Sequence, residues 1–441
     1  MSIHRRRLIT GATAGCLIHL AAPTQAAGFA IIEQGVTGLG NAYAGGAASA
    51  EDASTIFYNP AGMILVPNSQ FVGALHVISP TTNFDGSATV GGVVPVTGGD
   101  GGEAGETGLV PNFYYVRALE SGLKLGLGIN APFGLATEYD AGWEGRYHAL
   151  RSELRTVNFN PALAFKLGER LSLGAGINLQ YIDVPELSQA IDFATVCSGL
   201  AIGACAGLPT TNDGRVKLGG DDWSWGYNFG LLYEFSEQTR LGFAYRSKID
   251  HELEGTADFT GTPTALQALG VFVDDDVTAD ISVPETASLS LYHNLNPRLA
   301  IMGDVTWTRW SRFQELRVQF ETNPQSDLVT PEQWDDSLRY AVGLTYDYDD
   351  RWILRTGVAF DETPIPSAEL RTPRIPGNDR RWLAVGASYR HSRGLFFDFG
   401  YAHLFISDTP INNTNSTGAI LTGTYQSSVD ILSGQVRWAF D

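Results

Sequence analysis

Short segments in which every second residue is apolar recur along this chain, and they constrain its fold more than any other feature. From 171 to 181 the odd positions are Leu, Leu, Ala, Ile, Leu and Tyr, whereas the even positions are Ser, Gly, Gly, Asn and Gln. Strand side chains alternate between the faces of a sheet, so this segment has one apolar and one polar face. The segments 241–248 and 338–347 repeat the division and place Arg, Lys and Asp on the polar face. A polar face that carries charge opposite an apolar face predicts a transmembrane barrel with lipid outside and a polar lumen inside.

Composition favours strands over helices. The 441 residues include 50 Gly, and 11% are aromatic, which is typical of a β-protein. The mean hydropathy of −0.05 excludes a bundle of membrane-spanning helices. Past the N-terminus, no uninterrupted apolar run approaches the roughly 18 to 20 residues that a spanning helix needs. If the chain crosses a membrane, it does so with strands.

The N-terminus has the three parts of an export signal. A basic run at 5–7 precedes an interrupted apolar stretch at 8–22 and a small-residue cleavage site at 24–26. We therefore predict a signal peptide over residues 1–26, cleaved after Ala26. The alternative is a short amphipathic first helix.

The mature chain is strongly acidic. The leader carries three Arg and no acidic residue, so its removal moves the formal charge from −19 to −22. Such acidity argues against nucleic acid as a partner. It is typical of a solubilising surface, and an acidic outer face would also hold divalent cations beside anionic lipid.

Two cysteines remain after the leader. Cys197 and Cys205 fall in one predicted loop with seven residues between them. Exported proteins reach oxidising compartments, so we predict that these two cysteines form a disulfide. The eight His are scattered without ligand spacing, and we expect no metal and no cofactor.

Alternation and turn chemistry predict fourteen strands. Short turns alternate with long loops such as 84–108, 185–224 and 253–281, which is typical of an outer-membrane barrel. An even number of strands places both chain ends on the periplasmic side. The predicted spans are 69–83, 109–118, 122–132, 153–167, 171–184, 225–235, 239–252, 282–293, 298–320, 337–347, 351–360, 381–391, 395–406 and 429–440.

Tryptophans near the strand ends fit the aromatic girdles of such a barrel. The alternative is the packing of an ordinary β-sandwich. These residues are Trp225, Trp307, Trp310, Trp352, Trp382 and Trp438.

Residues 27–68 do not alternate and are rich in Gly and Ala. The segment is too short for an independent domain. A barrel of about fourteen strands has a lumen wide enough to leak unless something fills it. We therefore predict an all-β chain in which 69–441 form a 14-stranded antiparallel transmembrane β-barrel and 27–68 form a hatch inside it.

Several motifs, in order along the mature chain, resemble the FadL family of outer-membrane transporters for long-chain fatty acids and other hydrophobic compounds. Any one motif is weak, but the ordered set spans the mature chain. The motifs are Gly28-Phe29, the Gly-rich run 37–45, 58–63 (Tyr-Asn-Pro-Ala-Gly-Met), 132–137 (Pro-Phe-Gly-Leu-Ala-Thr), 245–248 (Tyr-Arg-Ser-Lys), 284–289 (Pro-Glu-Thr-Ala-Ser-Leu), 373–376 with 379–380, and 400–403 (Gly-Tyr-Ala-His).

The resemblance implies a fourteen-stranded barrel, an N-terminal hatch and passive uptake through an opening in the barrel side. In the family scheme, the hatch element Asn59, Pro60 and Ala61 lies against an inward kink of the third strand, here at Phe133 and Gly134. Pro and Gly next to the kink suit such a bend. The alternative is that both motifs are only turn chemistry. The resemblance also implies a monomer, and we expect contacts with outer-membrane lipid and lipopolysaccharide and insertion by the barrel-assembly machinery.

Two predicted outer loops are unusually apolar for extracellular segments and resemble the outer substrate groove of the family. Exposed apolar patches mark binding surfaces. The alternative is that each loop packs a small core of its own. The candidate groove residues are Leu187, Ile191, Phe193, Leu200, Ile202, Leu266, Leu269 and Phe272.

A carboxylate substrate needs a cationic partner in the lumen. Arg246 and Lys248 lie on the predicted lumen face, and Arg146 lies near the kink. Charge-assisted hydrogen bonds from these groups would hold a fatty-acid headgroup. The alternative is that each pairs with a neighbouring carboxylate.

Function is therefore predicted as passive uptake of long-chain fatty acids with lateral release at the kinked third strand. The main alternative is uptake of neutral monoaromatic or alkane hydrocarbons by the same fold. A general porin would lack a hatch, and an outer-membrane lipase would need a catalytic motif. The sequence has no Gly-x-Ser-x-Gly elbow and no His-Glu-x-x-His motif, so no catalytic residue is assigned.

Overall fold

A computed structural model describes residues 28–322 and 324–440 as one closed antiparallel β-barrel of fourteen strands. The predicted signal peptide, 1–26, lies outside the described residues. Closure comes from β1 pairing with β14, from Ser69 opposite Phe440 to Val90 opposite Ala419. The strands are β1 Ser69–Val90, β2 Gly108–Ala118, β3 Lys124–Asn130 and Gly134–Glu138, β4 Arg151–Leu167, β5 Leu171–Asp192, β6 Asp213–Glu234, β7 Thr239–Arg246 and Ile249–Thr260, β8 Asp275–Val283 and Thr286–Asn296, β9 Leu299–Thr308 and Glu315–Phe320, β10 Ser337–Asp347, β11 Trp352–Asp361, β12 Arg380–Arg390, β13 Leu395–Ile406 and Thr409–Thr414, and β14 Ala419–Phe440.

The wall has the inverted polarity that the alternation predicts. On β5, Ser172 and Gln180 are buried toward the lumen, whereas Ile177 and Leu179 are about half exposed on the outside. The same division holds on β11, where Arg355 is buried and Val358 is exposed. Apolar side chains therefore face lipid, and polar side chains face the interior.

Several strands run further outward than predicted. β1 ends at Val90 rather than at 83, β5 ends at Asp192 rather than at 184, and β6 begins at Asp213 rather than at 225. β14 begins at Ala419, ten residues before the predicted start at 429. Beyond the lipid these extensions bury apolar residues on the inner face, as Phe84, Val90 and Leu421 do, whereas the spanning parts expose theirs on the outer face. The hydrophobic alternation therefore does not continue in the same phase. Much of the predicted loops is thus strand.

The helices are short. In the N-terminal segment, residues 28–68, they are α1 Val36–Leu39, α2 Gly46–Ser49, α3 Thr55–Tyr58 and a 3-10 helix Pro60–Leu65. The outer loops contain α4 Phe193–Gly199 and α5 Thr264–Gln267, and a 3-10 turn Trp310–Arg312 lies between the two parts of β9. Among residues 28–322 and 324–440, no helix is long and apolar enough to cross a membrane.

The N-terminal segment packs against lumen-facing backbone and side chains. A Cβ added to Gly230 would collide with the Asn59 side chain, and one added to Gly242 would collide with the Ala47 carbonyl. Wall glycines thus let the segment lie directly on the strands. Arg240 adds a clamp, since its Nε and Nη2 donate to the carbonyl oxygens of Ala48 and Ser49 at 2.6 Å each.

Candidate functional site

Two cavities lie along the interior, and an aromatic cluster separates them. The space between the lining atoms, including the open mouth of each chamber, is about 810 Å³ in the outer chamber and about 1120 Å³ in the inner chamber. Leu135, Leu187 and Ile375 line the outer chamber, whereas Ile31, Tyr58 and Trp382 line the inner chamber. The interior is therefore divided into successive compartments rather than forming one pore.

The outer chamber is apolar apart from a few charged groups. Glu332 is buried, and its Oε2 accepts a hydrogen bond from Trp334 Nε1 at 2.9 Å. Burial raises the pKa of Glu332 to about 8, so its carboxyl group is neutral at pH 7. Burial also lowers the pKa of Arg374 to about 10, which leaves that guanidinium charged. A second acid in the lining, Glu153, is ion-paired with Arg151 and Arg155, so the chamber presents Arg374 to a ligand as a cation beside the uncharged Glu332.

Arg374 is held rigidly at the chamber wall. Its Nη1 donates to Ser152 Oγ at 3.0 Å, and its Nη2 donates to Gln189 Oε1 at 2.8 Å. Both partners are uncharged, so the positive charge is not cancelled by a direct ion pair within the described residues. A guanidinium fixed in this way suits a ligand carboxylate.

Five aromatic rings form the boundary between the chambers, and we call them the aromatic gate. Phe29 lies at its centre, 4.9 Å from the Trp310 ring and 5.9 Å from the Phe133 ring by centroid. Phe29 also contacts Phe313 at 5.8 Å and Trp334 at 6.1 Å. Phe29 lines the outer chamber, whereas Phe133 and Trp310 line the inner one. The N-terminal segment thus supplies the ring that separates the two.

The third strand bends inward beside this gate. Its inner part pairs with β2 only as far as Ile129, opposite Phe113. Its outer part, Gly134–Glu138, pairs with β4. Gly108–Asn112 of β2 therefore has a regular ladder on its β1 side alone among the described residues. We call this break in the wall the β2–β3 gap.

The N-terminal segment replaces the missing strand neighbour. The backbone N–H of Gly134 donates to the Phe29 carbonyl oxygen at 2.9 Å, and Ile31 N–H donates to the Pro132 carbonyl oxygen at 2.8 Å. Gln34 Nε2 donates to the Ala131 carbonyl oxygen at 2.9 Å. These bonds satisfy backbone groups that the bend removes from the β2 ladder. The bend is thus stabilised from inside the barrel.

One detail of the family-based expectation needs correction. Asn59 does not bond to the bend; its Nδ2 donates to the carbonyl oxygens of Ala47 at 2.6 Å and of Leu231, on β6, at 3.1 Å. Its Oδ1 accepts from Ala61 N–H at 3.0 Å and so caps the 3-10 helix that begins at Pro60. The Asn59 side chain is buried against Gly230 of the wall, whereas the backbone of Phe29 and Ile31 and the side chain of Gln34 make the contacts to the bend.

The two apolar outer loops pack together. Six of the eight groove candidates belong to one cluster beneath the loops, whereas Leu200 and Leu269 are more than half exposed. Leu187 also lines the outer chamber. The clustered candidates are Leu187, Ile191, Phe193, Ile202, Leu266 and Phe272.

The loop helix is tied down by a disulfide. Cys197 and Cys205 are bonded, with their sulfurs 2.03 Å apart and their Cα atoms 5.6 Å apart. Cys197, in α4, is fully buried and packs in the same apolar cluster as Phe193. The bond therefore fixes α4 to the segment that follows it.

The three predicted headgroup cations lie in different places. Arg146 is ion-paired with Asp213 at 2.9 Å, and Lys248 is ion-paired with Asp250 at 2.7 Å on an exposed face. Neither is among the residues that line the two chambers. Arg246 does line the inner chamber, where it donates to Asn178 and to the Phe57 carbonyl oxygen. Only Arg246 of the three remains a headgroup candidate.

Several site residues were missed from the sequence. Trp310 and Trp382 were assigned to the lipid interface, but they are 1% and 3% exposed and face the interior. Trp225 and Trp438, at 67% and 55%, are exposed as expected for a girdle. Sequence spacing alone does not separate the two groups. Arg374 lies in one of the motifs that resemble the family, 373–376, and this motif was the one sequence signal that could have identified it as a site residue.

The family model for "Outer membrane protein transport protein (OMPP1/FadL/TodX)" matches residues 17–440. The long-chain fatty acid transport protein of Escherichia coli K12 is 30% identical over 407 residues, which cover 88% of this chain and 89% of that protein. The crystal structure of a Pseudomonas aeruginosa FadL homologue superposes with a TM-score of 0.87 at 27% identity and covers 94% of this chain and 100% of that one. The Pseudomonas putida toluene transporter TodX superposes at 0.68 with 18% identity, over 93% of this chain and 99% of that one, and so shares the fold. Members of this family are transport channels rather than enzymes, and the chain belongs to it as an outer-membrane β-barrel transporter of fatty acids or other hydrophobic compounds in a Gram-negative bacterium.

Proposed function

We propose that the protein takes up long-chain fatty acids passively and releases them sideways through the β2–β3 gap. The observation that carries the proposal is the pairing of outer β3 with the N-terminal segment instead of with β2. This pairing leaves the gap next to the inner chamber, whose lining includes Pro132 and Phe133. An acyl chain that leaves here passes from protein to lipid without crossing water.

The route that we propose has four stages. The outer-loop cluster captures the acyl chain, the outer chamber holds it with its carboxylate near Arg374, the aromatic gate opens, and the inner chamber directs it to the gap. Each methylene kept out of water gains about 0.8 kcal/mol, so a long chain favours an apolar path throughout. The energy for net uptake then comes from consumption of the substrate inside the cell.

In this proposal residues 28–68 act as a hatch. Their contacts with wall glycines and with Arg240 support a closed lumen. We further propose that the protein works as a monomer in contact with outer-membrane lipid and lipopolysaccharide, after insertion by the barrel-assembly machinery.

Uptake of neutral hydrocarbons is the second candidate. It is favoured by the outer chamber, whose lining is dominated by aliphatic and aromatic side chains. A fixed, uncompensated Arg374 at the same chamber favours a carboxylate instead.

The test is uptake into proteoliposomes of oleic acid beside toluene, for the intact protein and for a variant lacking residues 28–63. Saturable oleic acid uptake without ion conductance, converted to leakage by the deletion, is the expected result. Preference for toluene would transfer the function to the second candidate. Free passage of ions and sugars through the intact protein would contradict both.

A further inference from the structure

A row of charged side chains crosses one part of the inner chamber wall. Strand register places Arg339 of β10 opposite Asp361 of β11, and Asp361 opposite Arg380 of β12. Asp304 of β9 lies beside the row, with its Oδ1 3.9 Å from Arg339 Nη1. Arg339, Asp361 and Asp304 line the chamber, and we call these four residues the polar strip.

Several polar atoms at the strip have no hydrogen-bond partner within 28–322 and 324–440. They are Nε and Nη1 of Arg339, Nε and Nη1 of Arg380, Nε1 of Trp382, the hydroxyl of Tyr43, Oδ1 of Asp304 and Oε2 of Glu33, a buried carboxyl group near both arginines. Arg339, Trp382 and Tyr43 are 5%, 3% and 1% exposed, and all three line the chamber. Buried polar groups are almost always paired in native proteins, so a cluster of unpaired ones at a cavity indicates a polar ligand.

Donors outnumber acceptors in this set, which defines the chemistry of the ligand. Arg339 is held in place because its Nη2 donates to the Ala42 carbonyl oxygen at 2.5 Å and its guanidinium lies 5.2 Å from the centre of the Trp382 ring. Its remaining nitrogens are therefore fixed in direction. A carboxyl group, with two oxygens that accept hydrogen bonds, matches a rigid guanidinium flanked by an indole N–H and a phenol O–H.

We propose that Arg339, Tyr43 and Trp382 form an inner carboxyl subsite, which receives the carboxyl group of the substrate after it has passed the aromatic gate. The inference rests on the proposed function, because it concerns the same route. With the carboxyl group held at the strip, the acyl chain lies along Phe133 and Phe229, which line the same chamber. The head is thus retained while the tail reaches the β2–β3 gap.

The subsite has a consequence for substrate choice. A hydrocarbon of equal length fills the chamber but leaves the donors of the strip unpaired. Sites built to pair with a polar group discriminate strongly against analogues that lack it. The inner chamber therefore selects carboxylic acids over alkenes, and it does so later on the route than the outer chamber, where Arg374 binds the carboxylate.

The sharpest test is Tyr43→Phe, which removes one hydroxyl that has no partner in the described chain. We expect the fold to be unaffected and the uptake of oleic acid, relative to 1-octadecene, to fall about fivefold. Arg339→Gln should lower the same ratio by about 10- to 100-fold, because it removes a charge-assisted pair. Tyr114→Phe is the matched control, since Tyr114 is also 1% exposed but does not line the chamber.

Measured quantities are the initial uptake rates of both compounds into proteoliposomes and the ion conductance of each variant. If Arg339→Gln has the same ion conductance as the wild type, the hatch stays closed without the hydrogen bond from Arg339 to Ala42. If the wild type takes up oleic acid and both Tyr43→Phe and Arg339→Gln keep its ratio, the subsite is overturned and the proposed function stands. If the wild type does not take up oleic acid, both are overturned.

Discussion

The backbone N–H of Gly134 donates to the carbonyl oxygen of Phe29 at 2.9 Å, so the N-terminal segment, residues 28–68, serves as the strand neighbour of outer β3. The same residue places its ring at the centre of the aromatic gate. The geometry of the wall and the barrier between the chambers therefore depend on one short segment. A movement of residues 29–34 would change both together.

Removing the Phe29 ring should join the two chambers. In Phe29→Ala the other four gate rings lose their central partner, and we expect a several-fold faster influx of a small apolar dye into cells that express the variant. The control is Phe71→Ala, which removes a lipid-facing ring that is 38% exposed. Equal influx through the variant and the wild type would show that Phe29 is not the barrier.

Blocking the β2–β3 gap should stop uptake without unfolding the barrel. Leu109 lies on the part of β2 that lacks a β3 partner, whereas Leu127 lies on the paired part of β3. We expect Leu109→Cys, once labelled with a bulky thiol reagent, to lose at least about nine-tenths of its oleic acid uptake, because labels block only where the substrate passes. Labelled Leu127→Cys should retain uptake. Cys197 and Cys205 are bonded to each other and do not compete for the label. Full uptake through labelled Leu109→Cys would contradict lateral release.

Loosening the hatch should let ions through. Arg240 donates to Ala48 and Ser49 at 2.6 Å and lies 3.8 Å above the centre of the Tyr292 ring. Arg240→Met removes hydrogen bonds from a charged group, worth about 1.5 to 3 kcal/mol each, and we expect measurable single-channel conductance in planar bilayers. Arg298→Met, at an exposed turn, is the control. If Arg240→Met shows no conductance, the contacts of the N-terminal segment with the wall glycines are enough to keep the lumen closed.

Binding in the outer chamber should depend on pH through Glu332. Its pKa is raised from 4.5 to about 8, so the folded protein holds a proton that the unfolded chain releases, and the free energy of unfolding falls as pH rises from about 4.5 to 8. Above pH 8 a carboxylate appears beside Arg374 and Trp334 and repels a fatty-acid carboxylate. We expect affinity to fall roughly tenfold between pH 7 and 9 in the wild type and to stay level in Glu332→Gln, as measured by equilibrium binding. The same fall in both proteins would assign it to another group.

The disulfide should stabilise the outer loop but not the barrel. A bond that closes a loop of this length contributes about 2.5 kcal/mol by the chain-entropy estimate. Cys197→Ser with Cys205→Ser should make residues 200–212 more sensitive to protease and weaken substrate capture, while the heat-modifiable gel mobility of the barrel is unchanged. Equal protease resistance in the wild type and the variant would contradict this role.

The barrel was predictable because lipid imposes a period of two on every spanning strand. The inner halves of the strands follow that period, as residues 171–184 of β5 do. The structure has the predicted number of strands, fourteen. In the outer halves the apolar residues lie on the inner face, as Phe84 and Val90 do, so the pattern that marks the spanning parts is not continued there. The predicted loops are therefore too long.

The interior was less predictable because it depends on contacts distant in sequence. Arg146 and Arg339 are both arginines near strand ends, yet Arg146 pairs with Asp213 whereas Arg339 has unpaired nitrogens at a cavity. Phe29 and Trp310 are distant in the sequence, yet the centroids of their rings lie 4.9 Å apart. Family motifs indicated which segments matter, but not which residue of a segment makes the contact, as the placement of Asn59 shows.

The wall glycines have a consequence for the cell. At Gly174, Gly230, Gly242 and Gly357, even one added methyl group would displace the N-terminal segment from the strands. The barrel itself would still close, since strand pairing does not require these glycines. With the N-terminal segment displaced, the outer membrane would become a weaker barrier against large polar antibiotics. If residues 28–68 act as the proposed hatch, substitutions at these glycines raise the sensitivity of the cell to such compounds without lowering the amount of folded barrel.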